Sequence, residues 1–146
     1  MIKIVLTWGA SPSDLDSHLV GEYGGKKYHV FYSHKNEMVD GTLVASLDRD
    51  DTTSYGPETT KFIMAIGSYY YFYVYNFSGN NRSNIKNSGA LVQLTGGWIG
   101  NWTSDASTAT GDENGRYWNV FCLTSDRLII RNTLTTSPET DYARGD

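Results

Sequence analysis

The chain has 146 residues, of which 39% are hydrophobic and 14% aromatic, and it carries a net charge of −4 at pH 7. This length suits one domain that buries a hydrophobic core without a disulfide, and the lone Cys122, between apolar residues, is predicted to be buried. The acidic balance excludes nucleic acid as the predicted partner, and no apolar run reaches the roughly 20 residues of a membrane span, so membrane insertion is not expected.

Alternation with a period of two predicts several strands in the first half of the chain. Apolar residues at positions 2, 4, 6 and 8 alternate with more polar neighbours, which predicts a first strand and places Trp8 in the core. Two turns are predicted, one at the Gly-Gly pair within residues 22–26 and one at residues 34–37. The other strands predicted in this half cover residues 16–20, 28–33, 42–47 and 60–65.

The strongest strand signal is SYYYFYVYNF at residues 68–77, which is dense in aromatic side chains. Alternation puts Tyr69, Tyr71, Tyr73 and Tyr75 on one face, and the sequence leaves open whether that face is core or binding surface. Residues 96–115 are predicted to form a long polar loop, and no segment of ten or more residues shows helical periodicity. The remaining predicted strands cover residues 90–95, 116–123 and 127–132.

About eight to ten short strands without helices predict an all-β fold, an antiparallel β-sandwich that is jelly-roll-like. We expect this sandwich module to cover residues 1–134. Residues 135–146 are polar and lack periodicity, which predicts a tail or linker. Because Met1 runs directly into the first strand, we interpret the chain as one module of a larger polypeptide.

Two acidic stretches are the most distinctive polar feature. In LTWGASPSDLDSHL, Asp14 and Asp16 flank Leu15, so an extended backbone puts both carboxylates on one side, and His18 continues that side. The second stretch is LDRDDTTSYGPE. Clustered carboxylates on loops are typical of Ca²⁺ sites, whereas the alternative is that these side chains cap turns or pair with basic neighbours. The candidate calcium ligands are Asp14, Asp16, Asp48, Asp50, Asp51 and Glu58.

Together with YHVFYSHK, GSYYYFYVYNFSG and SGALVQL, these stretches resemble the YfaP-like β-sandwich domain of unknown function found in bacterial secreted and cell-surface proteins. A weaker likeness is to prepeptidase C-terminal domains and carbohydrate-binding modules. The resemblance covers residues 3–134 and depends mainly on D-L-D-S-H-L and Y-G-P-E. It implies a non-catalytic extracellular accessory module and favours the calcium prediction. Residues 96–115 depart from the pattern because they are longer and richer in Trp.

The aromatic residues of the second half supply candidates for ligand contact. Trp98 and Trp102 lie in a polar, Gly-rich segment beside Asn101, and flat rings next to amide groups are typical of sugar-binding surfaces. The alternative is that Trp98 packs at a strand end and only Trp102 is exposed. Tyr117 and Trp118 are neighbours in a strand, so one of the two should face outward. The predicted ligand-binding residues are Trp98, Asn101, Trp102, Tyr117 and Trp118.

These features predict a non-catalytic carbohydrate-binding module of a secreted or cell-surface protein, with a polysaccharide or oligosaccharide as its partner and calcium as a stabilising ion. The alternative is a structural or adhesin module that docks or spaces other domains without binding glycan. Two carboxylates could also serve a glycosidase, but no nucleophile elbow, zinc-binding or phosphate-binding motif is present. Catalysis is therefore not predicted.

Overall fold

The computed structural model describes residues 1–48, 52–79 and 82–144 and confirms the predicted all-β sandwich. Strands account for 53% of the chain and helix for 4%, so two packed sheets enclose the core. Within the described residues, no helix has the length and apolar character that a membrane span requires. The strands are β1 Ile2–Thr7, β2 Leu15–Tyr23, β3 Lys26–Val30, β4 Asn36–Val39, β5 Thr42–Leu47, β6 Glu58–Phe62, β7 Tyr70–Asn76, β8 Leu91–Gly96, β9 Gly100–Asp105, β10 Thr110–Gly111, β11 Tyr117–Leu123 and β12 Leu128–Thr135.

In the described ranges these strands form two six-stranded sheets. Sheet I has the order β4-β5-β6-β1-β8-β9, and sheet II has the order β10-β12-β11-β7-β2-β3. Paired strands are antiparallel, except that the two-residue β10 runs parallel to β12. Because β7 lies between β2 and β11, its outward-pointing side chains occupy the middle of one face of the molecule.

The hydrophobic core lies between the sheets and follows the two-residue period of the strands. Ile4 and Leu6 of β1 point into it from sheet I, and Phe72 and Val74 of β7 point into it from sheet II. The alternating tyrosines at positions 69, 71, 73 and 75 therefore belong to the opposite, outer side of sheet II. Trp8 is 4% exposed and belongs to the core cluster, which confirms its predicted place.

The predicted turns agree with the structure at one place and differ from it at others. The Gly24-Gly25 pair joins β2 to β3 with φ values of 58° and 79°, which glycine adopts without strain. The predicted turn at 34–37 runs into β4, and the predicted loop at 96–115 contains β9. These two missed strands, and the two-residue β10 that also lies within residues 96–115, are at sheet edges and expose much of their length, so they lack the alternating apolar pattern of central strands.

The C-terminal residues pack against sheet II. The boundary predicted at residue 134 falls inside β12, which ends at Thr135. Beyond it, Glu139 and Tyr142 contact side chains on the outer side of the sheet. The described part of the predicted tail is therefore a layer of the fold, held by contacts that a polar composition alone does not indicate.

Candidate functional site

The outer face of sheet II, the side turned away from the core, carries a large cluster of aromatic and histidine side chains. Cross-strand register explains why these residues meet: Asp16 pairs with Tyr75, His18 with Tyr73, and Val20 with Tyr71. In β11, Tyr117 pairs with Tyr75 and Asn119 with Tyr73. Residues paired across neighbouring strands point to the same side, so one face gathers them all.

We call the region around Tyr75 and Phe77 the open half of this face. Phe77 is 51% exposed and Tyr32 is 43% exposed, and their ring centroids lie 6.0 Å apart with the ring planes at 73°. The Phe77 ring also contacts Tyr75 edge-on at 6.3 Å, and Tyr75 contacts Tyr117 at 4.8 Å. The four rings make a continuous row that runs from the end of β3 across β7 to β11.

A pocket of about 160 Å³ opens beside this row. Tyr32 and Phe77 line it together with Thr52, Asp14 and Asp16. Both aspartates are buried: Asp14 is 8% exposed and Asp16 is 2% exposed. The open half therefore combines exposed aromatic rings with a small concave site lined by polar residues, which is the usual composition of a small-molecule or sugar site.

Backbone contacts hold the ends of the strands at this pocket. The carbonyl of Asp14 accepts hydrogen bonds from the backbone N–H groups of Phe77 (3.1 Å) and Ser78 (3.4 Å). The Arg116 guanidinium donates to the carbonyls of Asn76 and Phe77 and lies 5.3 Å above the Tyr75 ring. These contacts fix the direction in which the chain leaves β7 and so keep the Phe77 ring at the rim.

The predicted calcium ligands separate into different environments. Asp14 and Asp16 come together in the pocket, as their spacing around the buried Leu15 predicted. Glu58 is fully buried between the sheets, where its Oε1 accepts a hydrogen bond from the backbone N–H of Ser17 at 2.9 Å. Asp48 is exposed, and its Oδ1 accepts from the backbone N–H of Thr59 at 3.0 Å, as in the alternative turn-capping interpretation.

The described residues do not by themselves make a complete metal centre from these acids. Among them, no group of three or more His, Cys, Asp or Glu side chains is arranged to hold a metal ion. Asp50 and Asp51, the two other predicted ligands, lie outside the described residues. Bound calcium therefore stays a prediction, with Asp14 and Asp16 as the pair that the fold brings to one pocket.

Two histidines lie beside the aromatic row on the same face of sheet II. The His18 ring lies between Tyr73, at 4.7 Å between centroids, and Phe31, at 5.1 Å, and His29 stacks on Phe31 at 4.2 Å. His18 Nδ1 and His29 Nε2 are 2.8 Å apart and share a hydrogen bond. Burial lowers the pKa of His18 to about 3 and also lowers the pKa of His29, since the charged imidazolium loses its hydration.

We call the region around Tyr71 the closed half, because the C-terminal segment covers it. Glu139 holds this segment to β12, where Arg131 donates to both carboxylate oxygens at 3.1 and 2.8 Å and Thr133 donates at 2.7 Å. The Tyr71 hydroxyl donates to the carbonyl of Tyr142, whose ring meets the Tyr71 ring edge-on. Tyr71 is 0% exposed as a result.

Arg144 of the covering segment also contacts the tyrosines of the closed half. Arg144 donates from Nε to the Tyr71 hydroxyl at 3.1 Å and lies over both the Tyr69 and Tyr71 rings. Cys122, paired with Tyr71 across the strands, is fully buried as predicted. Its pKa is raised to about 11 by burial, so the thiol stays protonated and unreactive near neutral pH.

The residues predicted to bind ligand do not form one site. Trp98 is 52% exposed in the turn Gly97–Ile99, and Asn101 is exposed at the start of β9 in sheet I. The prediction of an exposed Trp102 is wrong, because its indole is half-buried and packs edge-on against Phe121 of the core at 5.7 Å. Of the two indoles, Trp98 is therefore the more exposed, and Trp102 offers only part of its ring to solvent.

The prediction for Trp118 is also wrong. Its side chain is 0% exposed, and its Nε1–H donates to Asn132 Oδ1 at 2.9 Å, so no ligand reaches it. Its neighbour Tyr117 is the member of the pair that faces outward, as strand alternation requires, and it stacks on Tyr75 in the open half. Of the five predicted ligand contacts, only Tyr117 lies in the aromatic row.

Tyr32 and Phe77 are the exposed aromatic residues that the sequence prediction missed. Alternation along residues 28–33 grouped Tyr32 with the core-facing Tyr28 and Val30, but β3 ends at Val30 and the chain turns at the Phe31–His34 bridge. Phe77 follows the last residue of β7 in the same way. A signal that could have found both is a large aromatic residue next to Ser at the end of a strand, where the two-residue period no longer applies.

No protein-family model matches the chain, and no curated protein matches it. The resemblance to the YfaP-like domain therefore stays a prediction, and the function must be argued from the residues of the open half.

Proposed function

We propose that the chain is a non-catalytic carbohydrate-binding module whose ligand lies on the open half of the outer face of sheet II. The observation that carries this proposal is the pair of exposed rings, Tyr32 and Phe77, at the rim of a pocket lined by Asp14 and Asp16. We prefer this site to the predicted Trp98 and Trp102 platform, because Trp102 is half-buried against the core.

The chemistry of the open half suits a sugar. Aromatic rings stack on the apolar C–H faces of pyranose rings, and tyrosine hydroxyls exchange hydrogen bonds with sugar hydroxyls. The row continues from the pocket through Tyr75 to Tyr117, so an oligosaccharide longer than one unit meets further rings. Contacts at strand ends and Arg116 hold these rings in place, which reduces the entropy lost on binding.

Several features support a binding role over a catalytic one. The two aspartates are separated by a single residue on one strand end, and the pocket of about 160 Å³ is small for the cleft that encloses a glycosidic bond. The histidine pair is stacked among aromatic rings, and burial lowers both of its pKa values, so both imidazoles are neutral at pH 7 and neither acts as a general acid there.

The proposal is tested by affinity electrophoresis against a panel of plant and microbial polysaccharides, first with Ca²⁺ and then with EDTA. We expect the wild-type chain to be retarded on at least one neutral polysaccharide. Tyr32→Ala and Phe77→Ala should each reduce that retardation at least tenfold, because each removes one stacking ring. EDTA should weaken the retardation if calcium at Asp14 and Asp16 helps to shape the pocket.

Trp98→Ala is the matched control, since it removes an aromatic side chain of similar exposure from sheet I. We expect it to leave retardation unchanged. Loss of retardation in Trp98→Ala but not in the Tyr32 and Phe77 variants would return the site to the Gly97–Ile99 turn. Absence of retardation on every polysaccharide, with a folded protein, would contradict glycan binding and favour the structural or adhesin alternative.

A further inference from the structure

We propose that a second cavity of the molecule, at the other end of β7, binds a uronate, which is a sugar unit that carries a carboxylate. The cavity has a volume of about 280 Å³ and lies between the β6–β7 turn and the β11–β12 turn. These turns are neighbours because β7 pairs with β11, with Tyr70 opposite Leu123. Among the described residues, the cavity shares no lining side chain with the pocket of the open half, so it is a separate site. We call it the Arg127 cavity.

The Arg127 cavity has a positive charge that lacks a partner. Arg127 is exposed and lines the cavity, and within the described ranges no acid forms an ion pair with its guanidinium. Arg144 lies 5.3 Å above the ring of Tyr69, which lines the same cavity. Two guanidinium groups therefore lie against one lining acid, Asp126, although the whole chain has a net charge of −4. This local balance favours an anionic ligand.

The chemistry of the free cation favours a carboxylate. A guanidinium is planar and presents parallel N–H donors, which match the two oxygens of a carboxylate in a bidentate contact. Arg127 is accessible for that contact, because the hydrogen bonds that hold its residue in the turn are made by its backbone N–H and carbonyl groups.

The other lining groups favour a sugar as the carrier of that carboxylate. Ile66 is 92% exposed and lines the cavity with the Tyr69 ring, so apolar surface is available for the C–H face of a pyranose. Ser125 and Asp126 provide hydrogen-bonding oxygens for sugar hydroxyls. A uronate presents a carboxylate, hydroxyls and a C–H face on one ring, whereas a fatty acid would offer no hydrogen-bond donor to Asp126.

Hydrogen bonds hold both turns in the shape that forms the cavity. The Thr124 N–H donates to the Arg127 carbonyl at 2.9 Å, and the Arg127 N–H donates to Thr124 Oγ1 at 3.0 Å. Thr124 Oγ1 also donates to Asp126 Oδ1 at 3.0 Å. In the other turn, the Ala65 N–H donates to the Tyr70 hydroxyl at 2.8 Å. Preformed turns reduce the entropy that is lost on binding.

The experiment is a titration of the ¹⁵N-labelled full chain at pH 7.4 with a galacturonate trisaccharide, followed by NMR. We expect saturable shifts in the backbone amide signals of Ser68, Tyr69 and Ser125, which line the cavity. The neutral galactose trisaccharide should bind there at least tenfold more weakly, because it lacks the carboxylate. Raising the NaCl concentration should weaken the binding of the galacturonate trisaccharide.

Variants at the two charged lining residues test which group recognises the carboxylate. Arg127→Gln should weaken binding at least tenfold, and Arg127→Lys should weaken it less, because it keeps the charge but loses the planar donors. Asp126→Asn keeps an acceptor oxygen and removes a negative charge, so its affinity should be equal or higher. Lys61→Gln is the matched control, since it changes the net charge equally at an exposed site on sheet I, and it should bind like wild type. Circular dichroism checks that each variant is folded.

The proposal is overturned if Arg127→Gln binds as tightly as wild type, if Lys61→Gln causes the same loss, or if the shifts occur at Tyr32 and Phe77 instead. Free alanine and N-acetylalanine are titrated in parallel. Tighter binding of alanine, with a loss in Asp126→Asn, would assign the cavity to α-amino acids, and tighter binding of N-acetylalanine would assign it to a peptide carboxylate. Retardation on neutral polysaccharides tests the open half alone, so the two proposals succeed or fail separately.

Discussion

The two halves of the outer face of sheet II are both rich in aromatic side chains, but these side chains are buried in the closed half and exposed in the open half. Both take tyrosines from the same alternating set of β7, yet Tyr71 is 0% exposed whereas Phe77, just beyond the strand, is 51% exposed. The difference comes from the C-terminal segment, whose described residues cover the closed half through Glu139 and Tyr142. An aromatic strand face thus serves stability where a segment covers it and is available for binding where none does.

The largest expected effect is on the stability of the closed half. Tyr71→Ala should lower the free energy of unfolding by about 3 to 5 kcal/mol, because it removes a fully buried ring together with its bonds to Tyr142 and Arg144. Phe77→Ala, the matched change in the open half, should lower it by less than about 1 kcal/mol. Urea denaturation of both variants measures the difference. Equal losses would show that the open half is packed as tightly as the closed half.

Acid should destabilise the protein through the histidine pair that lies between the halves. The pKa of His18 is about 3 in the folded state against 6.5 for an exposed histidine, so the unfolded chain binds the proton first. The contribution of His18 to the free energy of unfolding is fully present above about pH 6.5 and is lost as the pH decreases toward 3. Between pH 6.5 and 5 this one group should lower the free energy of unfolding by about 2 kcal/mol. Urea denaturation at several pH values tests the slope. A flat profile in this window would contradict the folded-state pKa.

The same pH series has a matched comparison. In His29→Gln the second histidine with a lowered pKa is gone, so the slope should decrease, while His34→Gln should decrease it by less, because burial is the larger cause of the lowered His29 pKa and the charge of His34 the smaller one. Below about pH 4.5, Glu37 and Glu139 add to the loss, since their partners lower their pKa values in the folded state.

A smaller effect is expected from loosening the covering segment. Glu139→Ala removes the acceptor for Arg131, Thr133 and the Asn119 amide, and should lower the free energy of unfolding by about 1 to 2 kcal/mol. The variant should also be cleaved faster by protease near residues 137–144. Glu113→Ala, an exposed acid in a turn, is the control and should behave like wild type. Unchanged cleavage in Glu139→Ala would mean that the aromatic contacts alone hold the segment.

The smallest stability effect belongs to the proposed ligand contact. Tyr32→Ala should change the free energy of unfolding by less than about 0.5 kcal/mol, because its ring is 43% exposed and lies beyond the end of β3. Its effect should appear in polysaccharide retardation instead. A variant that loses both stability and retardation would indicate that Tyr32 packs as part of the fold rather than serving a ligand.

Much of the fold was predictable because the relevant signals are local. The period of two in β1, the boundaries of β5 at Thr42–Leu47 and the Gly24-Gly25 turn are properties of short stretches. The site was less predictable, because its members come from separate strand ends. Asp14 and Asp16 were found from their spacing, whereas Tyr32 and Phe77 meet only when the ends of β3 and β7 lie side by side.

The sequence by itself determined the fold class, the core position of Trp8, the common side of Asp14 and Asp16, and the burial of Cys122, since each follows from alternation or from apolar neighbours. Only the tertiary structure decided that Trp102 is half-buried and Trp118 fully buried, that the C-terminal segment closes one half of sheet II, and that His18 and His29 share a hydrogen bond. Whether an outward-pointing ring is exposed depends on what a distant segment places over it, and alternation along a strand carries no information about that segment.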